Sequence, residues 1–309
     1  MTSIPVTGAQ FEIVAGDYHA VVTELGAGLR ALRHRGQPIT SSYEADELPP
    51  GAAGQLLVPW PNRIDGGGYS LAGTDYQLDL TEPSAGNAIH GLTRWTAWSA
   101  VRHTSDEVLL RVKLLGRSGY PFCLEIEAGY QLSEDRGLQL SVTARNVGAR
   151  PAPYGTGSHP YLTVGLPAVD ECELTLPGAL WLPVDARGIP CGPPQDVTGT
   201  EFDFRVGRVI GKTRLDYAFS GLDRDGEGRV WARLGGGGRE VALWAGPGFH
   251  WLQVFTGDTL GDAHRRRALG MEPMTCPPNA FASGTELLML EPGDTVTHTF
   301  GIQVTRTAA

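Results

Sequence analysis

Glu272 stands alone as a charge in the proline-studded stretch between Arg267 and Glu286, within Gly270-Met271-Glu272-Pro273-Met274-Thr275-Cys276-Pro277-Pro278-Asn279. Proline fixes φ and removes a backbone donor, so this segment reads as rigid and extended or turning, and fits a helix badly. A carboxylate held there with no cation nearby in sequence is partly desolvated, which disfavours its charged form and raises its pKa. Such a group serves well as a general base. The alternative is a cap on backbone amides at a sheet corner, because buried charges are usually paired.

Three further stretches carry groups of the kinds chemistry uses. Pro59-Trp60-Pro61-Asn62-Arg63-Ile64 leads through Gly66-Gly67-Gly68-Tyr69 to Asn87-Ala88-Ile89-His90-Gly91-Leu92. Arg63 offers a fork of donors to a ligand's oxygens or braces a carboxylate, and taken singly bracing is the stronger reading. His90, between apolar residues and glycine, reads by itself as a satisfied core histidine. In Tyr154-Gly155-Thr156-Gly157-Ser158-His159-Pro160-Tyr161 a histidine follows small residues, whose glycines admit a ligand or a neighbouring backbone. Arg214-Leu215-Asp216-Tyr217-Ala218-Phe219 sets an acid beside aromatics. That combination suits a sugar, with hydroxyls on the carboxylate and C–H faces on the rings, although a turn-capping Asp is the commoner use.

The elements that must position these groups are strands. Val108, Leu110, Val112 and Leu114 alternate with Leu109, Arg111 and Lys113, and Gly116-Arg117-Ser118-Gly119 turns the chain. Phe122, Leu124, Ile126, Ala128 and Tyr130 repeat the pattern, as do Leu138, Leu140, Val142 and Ala144 after Glu134-Asp135-Arg136-Gly137. Three such runs joined by short turns predict an antiparallel meander with one buried face. Val230 to Leu234 and Glu240 to Trp244 flank four glycines and predict a second hairpin. The C-terminus reads the same way, with Leu287 to Leu290, the turn Glu291-Pro292-Gly293-Asp294, then Val296, His298, Phe300, Ile302 and Val304 on one face. No segment carries a sustained 3.6-residue apolar stripe. With 42 glycines and 22 prolines to supply turns, the pattern predicts an all-β fold of large stacked antiparallel sheets, a β-sandwich. No linker or repeat divides the chain, so residues 1–309 read as one domain.

The net charge of −9, with no Lys/Arg-rich segment to offset it, sets the average field against nucleic acid and anionic membranes as partners. Met1 to Gln10 has neither a basic n-region nor an apolar h-region, and a cytoplasmic location is the expectation. Cys123, Cys172, Cys191 and Cys276 are far apart and form no C-x-x-C pair, which argues against zinc and a disulfide framework. They read as small buried or half-buried residues.

In this order the motifs resemble a family. Asn62-Arg63-Ile64, Gly68-Tyr69, Leu71, Gly73, Tyr76, Leu78 and then Asn87 to Leu92 are similar to the N-terminal signature of the aldose 1-epimerases, or mutarotases. His159-Pro160-Tyr161, Asp216 and Glu272-Pro273 fall where that family keeps its second histidine, its substrate aspartate and its catalytic glutamate. The resemblance spans about Val58 to Val304. It implies a galactose-mutarotase-like β-supersandwich acting on the anomeric carbon of free hexoses, with no metal or organic cofactor and a small-molecule sugar as the only necessary partner, as monomer or homodimer. Two departures point to a bacterial side branch. Gly157-Ser158-His159-Pro160-Tyr161 replaces an Asn-His-x-Tyr-Phe context, and Pro-Met-Thr-Cys-Pro-Pro follows the glutamate in place of a Thr-Gln run.

The roles the resemblance implies are chemically sufficient. Mutarotation removes a proton from the C1 hydroxyl while another is given to the ring oxygen, so one base and one acid suffice. Glu272 is the implied base and His159, as imidazolium, the implied acid. His90 would assist at the ring oxygen, while Arg63, Asp216 and Asn62 hold the hydroxyls. Three rivals share parts of this set. A hexose-6-phosphate mutarotase needs more cations, for which Arg265-Arg266-Arg267 are available. A non-catalytic sugar-binding protein has no need of Glu272 with both histidines. A metal enzyme could use His90, His159 and Glu272 as a two-histidine, one-carboxylate site, though no H-x-H or H-x-x-E spacing supports it.

Overall fold

The computed structural model describes residues 3–306. The meander forms from Glu107–Leu114, Leu124–Ser133 and Gly137–Asn146, paired antiparallel in sequence order. Val112 lies opposite Ile126 and Ala128 opposite Val142, all of them buried. Each buried leucine, isoleucine or valine contributes about 1.5–3 kcal/mol by leaving water, which fixes the register, because a one-residue slip would turn the whole set outward. The second strand begins at Leu124, two residues after the buried Phe122, since Pro121 leads into it without ladder pairing. The glycine hairpin is tighter than its four glycines suggest. Strands Val230–Gly236 and Arg239–Ala245 pair Gly236 with Arg239. Only Gly237 and Gly238 remain in the turn, both at positive φ (56° and 76°), the conformation that matches the twist of the strands.

These strands belong to a nine-stranded sheet running Ser99–His103, Glu107–Leu114, Leu124–Ser133, Gly137–Asn146, Thr295–Arg306, Arg239–Ala245, Val230–Gly236, Glu173–Thr175 and Arg208–Val209. The C-terminal hairpin expected from the sequence does not form. Leu288–Leu290 pairs with Ala152–Tyr154, while Thr295–Arg306 crosses into the large sheet between Gly137–Asn146 and Arg239–Ala245. A long strand flanked on both sides satisfies far more backbone groups than a three-residue hairpin could. Asn146 clamps the crossing: its Nδ2 donates to the Leu290 carbonyl at 2.7 Å, and its backbone bonds Gly293 and Asp294.

The second sheet has eight strands, in the order Gln195–Asp196, Gly178–Trp181, Asp216–Leu222, Trp251–Phe255, Leu269–Met274, Gly157–Ser158 and Leu56–Leu57, with Tyr161–Leu162 also pairing on Leu269–Met274. Both sheets contribute to one apolar core, Leu140 and Leu243 from the first and Phe219, Leu252 and Met271 from the second. The fold is therefore the large antiparallel β-sandwich the alternation predicts. Among the described residues the α-helical content is the single turn Ala280–Ser283, and no helix is long and apolar enough to cross a membrane. Cys172 and Cys276 are buried and Cys123 half-buried, but Cys191 is exposed, against the expectation for the set.

Candidate active site

Glu272 sits in the middle of a central strand of the eight-stranded sheet, not in a loop. Its neighbour Pro273 is unusual in an interior strand, where proline removes a ladder donor. The arrangement works because of the partner opposite. Met271 donates its N–H to the Pro160 carbonyl at 3.0 Å, so Pro273, two residues on, faces the same side. On that side the pairing is broken between Gly157↔Met274 and Tyr161↔Gly270, and His159-Pro160 occupies the gap. The missing N–H falls where no partner is needed, and the interruption turns His159 toward Glu272. Gly157 is required by backbone packing, not by a ligand: a Cβ there would meet the Pro273 carbonyl at 2.9 Å.

The pair so formed is close. His159 Nε2 lies 3.1 Å from Glu272 Oε1, with side-chain exposures of 6% and 2%. Among the described residues no other residue offers His159 Nδ1 or Glu272 Oε2 a hydrogen bond. Burial raises the Glu272 carboxyl well above its usual range; nearby Asp216 adds to this and Arg63 opposes it. The same burial pushes His159 down to about 3, opposed by its own backbone and reinforced by Arg94 and Arg63. Both directions favour the uncharged partners. In the sugar-free cleft burial therefore works against an ion pair and toward a neutral carboxyl beside a neutral imidazole.

His90 is the second neutral imidazole. It and Asn62 both take left-handed backbone conformations, φ 61° and 54°, uncommon for non-glycine residues and frequent at functional sites. They are locked together: His90 N–H donates to the Asn62 carbonyl at 2.9 Å, and Asn62 N–H donates to His90 Nδ1 at 3.2 Å. A backbone amide can only donate, so Nδ1 is the unprotonated nitrogen and Nε2–H is the donor His90 can offer. Burial holds His90 well below the usual histidine range. The rings of His90 and His159 meet edge to face at 5.3 Å, and Tyr161 stacks on His159 at 4.8 Å.

These groups line one cleft of about 410 Å³, together with Arg63, Asp216 and Asn62. Every sequence-predicted site residue is thus brought to a single concavity. Arg63 braces a carboxylate, as its single-residue reading favoured: Nε and Nη2 bond both oxygens of Glu82 at 2.8 and 2.9 Å, leaving Nη1 uncommitted. Asp216 lies on the cleft wall as a solvent-exposed residue that nonetheless has protein on most sides of its carboxylate. Burial raises its carboxyl pKa and Arg63 opposes the rise. It opens the Asp216–Leu222 strand opposite Phe255 and accepts a 2.7 Å bond from Gln253 Nε2, so it caps no turn. Asn62 Oδ1 accepts the Arg63 N–H at 2.9 Å, which leaves its amide nitrogen as the donor for a ligand. Arg265, Arg266 and Arg267 are absent from the cleft wall; Arg266 is paired with Asp170 at 2.6 Å and Asp258 at 2.9 Å.

Sequence reasoning missed four contributors: Glu82, Gln253, Arg94 and Trp95. Gln253 had a signal, as the one polar residue in Trp251–Phe255, and the ladder sets it opposite Glu272. Arg94 and Trp95 follow Leu92 by two and three residues, and Trp95 is 53% exposed at the cleft rim. The fold also joins what sequence spacing kept apart, since ligand atoms of His90, His159 and Glu272 all lie within 4.8 Å of one another. The donor set does not fit a metal ion. A ligating histidine donates its other ring N–H to an acceptor, whereas His90 Nδ1 faces the Asn62 N–H, which leaves the proton on Nε2, the nitrogen a metal would need.

The chain has relatives among known proteins. The chain matches the family model for aldose 1-epimerase over residues 10–303, and it belongs to that family. It is 35% identical over 293 residues to Uncharacterized protein YihR of Escherichia coli K12, covering 95% of this chain and 92% of that protein. It is 29% identical over 214 residues to galactose mutarotase of Sus scrofa, covering 64% of this chain and 60% of that one. The GalM/aldose epimerase homologue from C. elegans superposes with a TM-score of 0.85 over 97% of this chain and 99% of that chain, at 20% identity, a likeness of fold.

Proposed function

We propose that the protein is an aldose 1-epimerase that interconverts the α and β anomers of a free hexose by opening and reclosing the ring. The observation that carries this reading is the His159–Glu272 pair, a buried histidine and carboxyl 3.1 Å apart at the cleft wall. Reaction begins when a proton passes from Glu272 to His159. The Glu272 carboxylate then takes the C1 hydroxyl proton, the O–H electrons form the C1 carbonyl, and the C1–O5 electrons leave on O5. His159 Nε2–H protonates O5, and His90 Nε2–H supports the charge developing there. Rotation about C1–C2 and the reverse transfers close the other anomer, returning both protons to their owners. Arg63 Nη1, Asn62 Nδ2 and Asp216 are the groups left to hold hydroxyls.

The rival readings lose support for specific reasons. A purely binding protein would have no use for a buried acid/base pair that costs stability. For a hexose phosphate, Arg63 is committed to Glu82 and Arg265–Arg267 lie off the cleft, while Arg94 reaches toward the histidines. Polarimetry with fresh α-anomers of several hexoses and hexose phosphates tests all of these. Mutarotation of a free hexose should be accelerated, with and without chelator. Its kcat/KM should fall on both sides of a plateau in pH, because only the singly protonated pair is active. The acid limb marks the second proton reaching His159 and should lie well below the ordinary histidine value of 6.5, toward about 3. The alkaline limb marks loss of the Glu272 proton and should lie well above 4.5. No acceleration of any free hexose by folded protein would sink the proposal, as would complete loss in chelator restored by a divalent ion.

Asp216→Ala separates binding from chemistry. Removing a carboxylate that bonds hydroxyls should raise KM about tenfold to a hundredfold while kcat changes only a few-fold. A fall in kcat with KM unchanged would instead put Asp216 in the chemical step.

A further inference from the structure

Arg94 is a charged side chain only 9% exposed, on the cleft wall beside His90 and His159. Among the described residues it makes no ion pair with a carboxylate; its guanidinium lies over the Trp95 ring, 5.3 Å from the centroid, and its Nε has no hydrogen-bond partner. Burial lowers its pKa only to about 10, so it remains charged at neutral pH. A buried cation left unpaired is costly, and such groups persist where a site makes use of their field. The contacts of Arg94 show where that field falls. Nη2 donates to the carbonyl of Ile89, the residue before His90, at 3.4 Å. Nη1 reaches Gln55 Oε1 at 3.4 Å, and Gln55 Nε2 returns a bond to the Arg94 carbonyl at 3.1 Å. The Gln55 carbonyl in turn accepts the His159 N–H at 3.1 Å. One guanidinium therefore bridges the two segments that carry the histidines.

We propose that Arg94 is a positioning residue that fixes both histidines and adds to burial in keeping His159 neutral in the sugar-free protein. The other groups facing His159 do not replace it. Glu272 is the alternative seat for a proton, His90 is neutral, Tyr161 stacks as an uncharged ring, and the charge of Arg63 is offset by Glu82. A proton resting on Glu272 leaves neither member charged in the buried cleft, so the ion pair forms only when a sugar can accept its charges.

The kinetic half of the proposal rests on the mutarotase reading; the protonation half needs no sugar. Histidine-selective 15N NMR titration of the sugar-free protein reads His159 directly, in wild type, Arg94→Met and Arg94→Lys. Loss of the charge in Arg94→Met should raise the His159 midpoint by on the order of one pH unit, whereas Arg94→Lys, which keeps the charge but cannot bridge Gln55 and Ile89, should hold it near the wild-type value. If a free hexose is turned over, both variants should lose about tenfold in kcat with KM within threefold, since small misplacements of catalytic groups are costly. An unmoved midpoint in Arg94→Met, or one displaced as far in Arg94→Lys as in Arg94→Met, overturns the proposal. Should Arg94→Met fail to fold, Arg94→Lys decides alone: an unmoved midpoint with lowered kcat supports it, and a raised midpoint overturns it. If no sugar is turned over, the titration still gives its answer and the function reading fails separately.

Discussion

Glu272→Gln should slow anomer interconversion by about 10²–10⁴-fold, the usual span for a lost general acid/base, while leaving sugar affinity within a few-fold. Glutamine keeps the shape and can donate its amide to His159 Nε2, but it cannot take the C1 proton. The same change should stabilise the protein. A carboxyl whose folded pKa is raised contributes stability that is fully present below its unfolded value and is lost as pH rises toward the folded one. Glu272 is raised well above 4.5 by burial, so at neutral pH the wild-type fold bears that loss and the glutamine variant does not. The difference in Tm, variant minus wild type, should be near zero at pH 4 and grow as pH rises to 8, by about 2 °C or more for each kcal/mol recovered. Polarimetric rates, titration calorimetry with a slowly reacting sugar, and melting curves across pH check the three parts. Wild-type turnover, or outright unfolding, would instead make Glu272 the backbone cap that its sequence context also allowed.

His159→Gln should cost a similar 10²–10⁴-fold, since the ring oxygen then loses its proton donor. The more telling measurement is the double variant. If His159 and Glu272 share one proton and act as a unit, His159→Gln/Glu272→Gln should be no slower than the worse single variant by more than a few-fold, because once either partner is gone the other has nothing to exchange with. Losses that multiply would mean that the two side chains act at independent steps, and the shared-proton account would fall. Melting temperatures belong beside the rates, since Glu272 remains a buried acid in the His159→Gln variant.

Strand periodicity carried most of the architecture. Val108 to Leu114, Leu124 to Leu132 and Leu138 to Ala144 alternate so strictly that only a half-buried antiparallel meander satisfies both faces. The same period could not say which strands become neighbours, and Thr295–Arg306 leaves its apparent hairpin partner for two strands distant in sequence. Chemistry was legible in residue type. Glu272, His159, His90, Arg63, Asp216 and Asn62 stood out because each is polar where the surroundings are small, apolar or rigid. What each does was decided by contacts at a distance. Pro273 left its segment open between extended and turning, and the interrupted strand at His159-Pro160 allowed the extended form by removing the need for its N–H. His90 became a fixed donor only because the Asn62 amide occupies its other nitrogen. Protonation was furthest from the sequence's reach. Sequence alone determined that a carboxylate and a histidine were available, but where their proton rests depends on desolvation and on fields from Arg94 and Arg63, which only the folded arrangement of strands far apart in the chain sets.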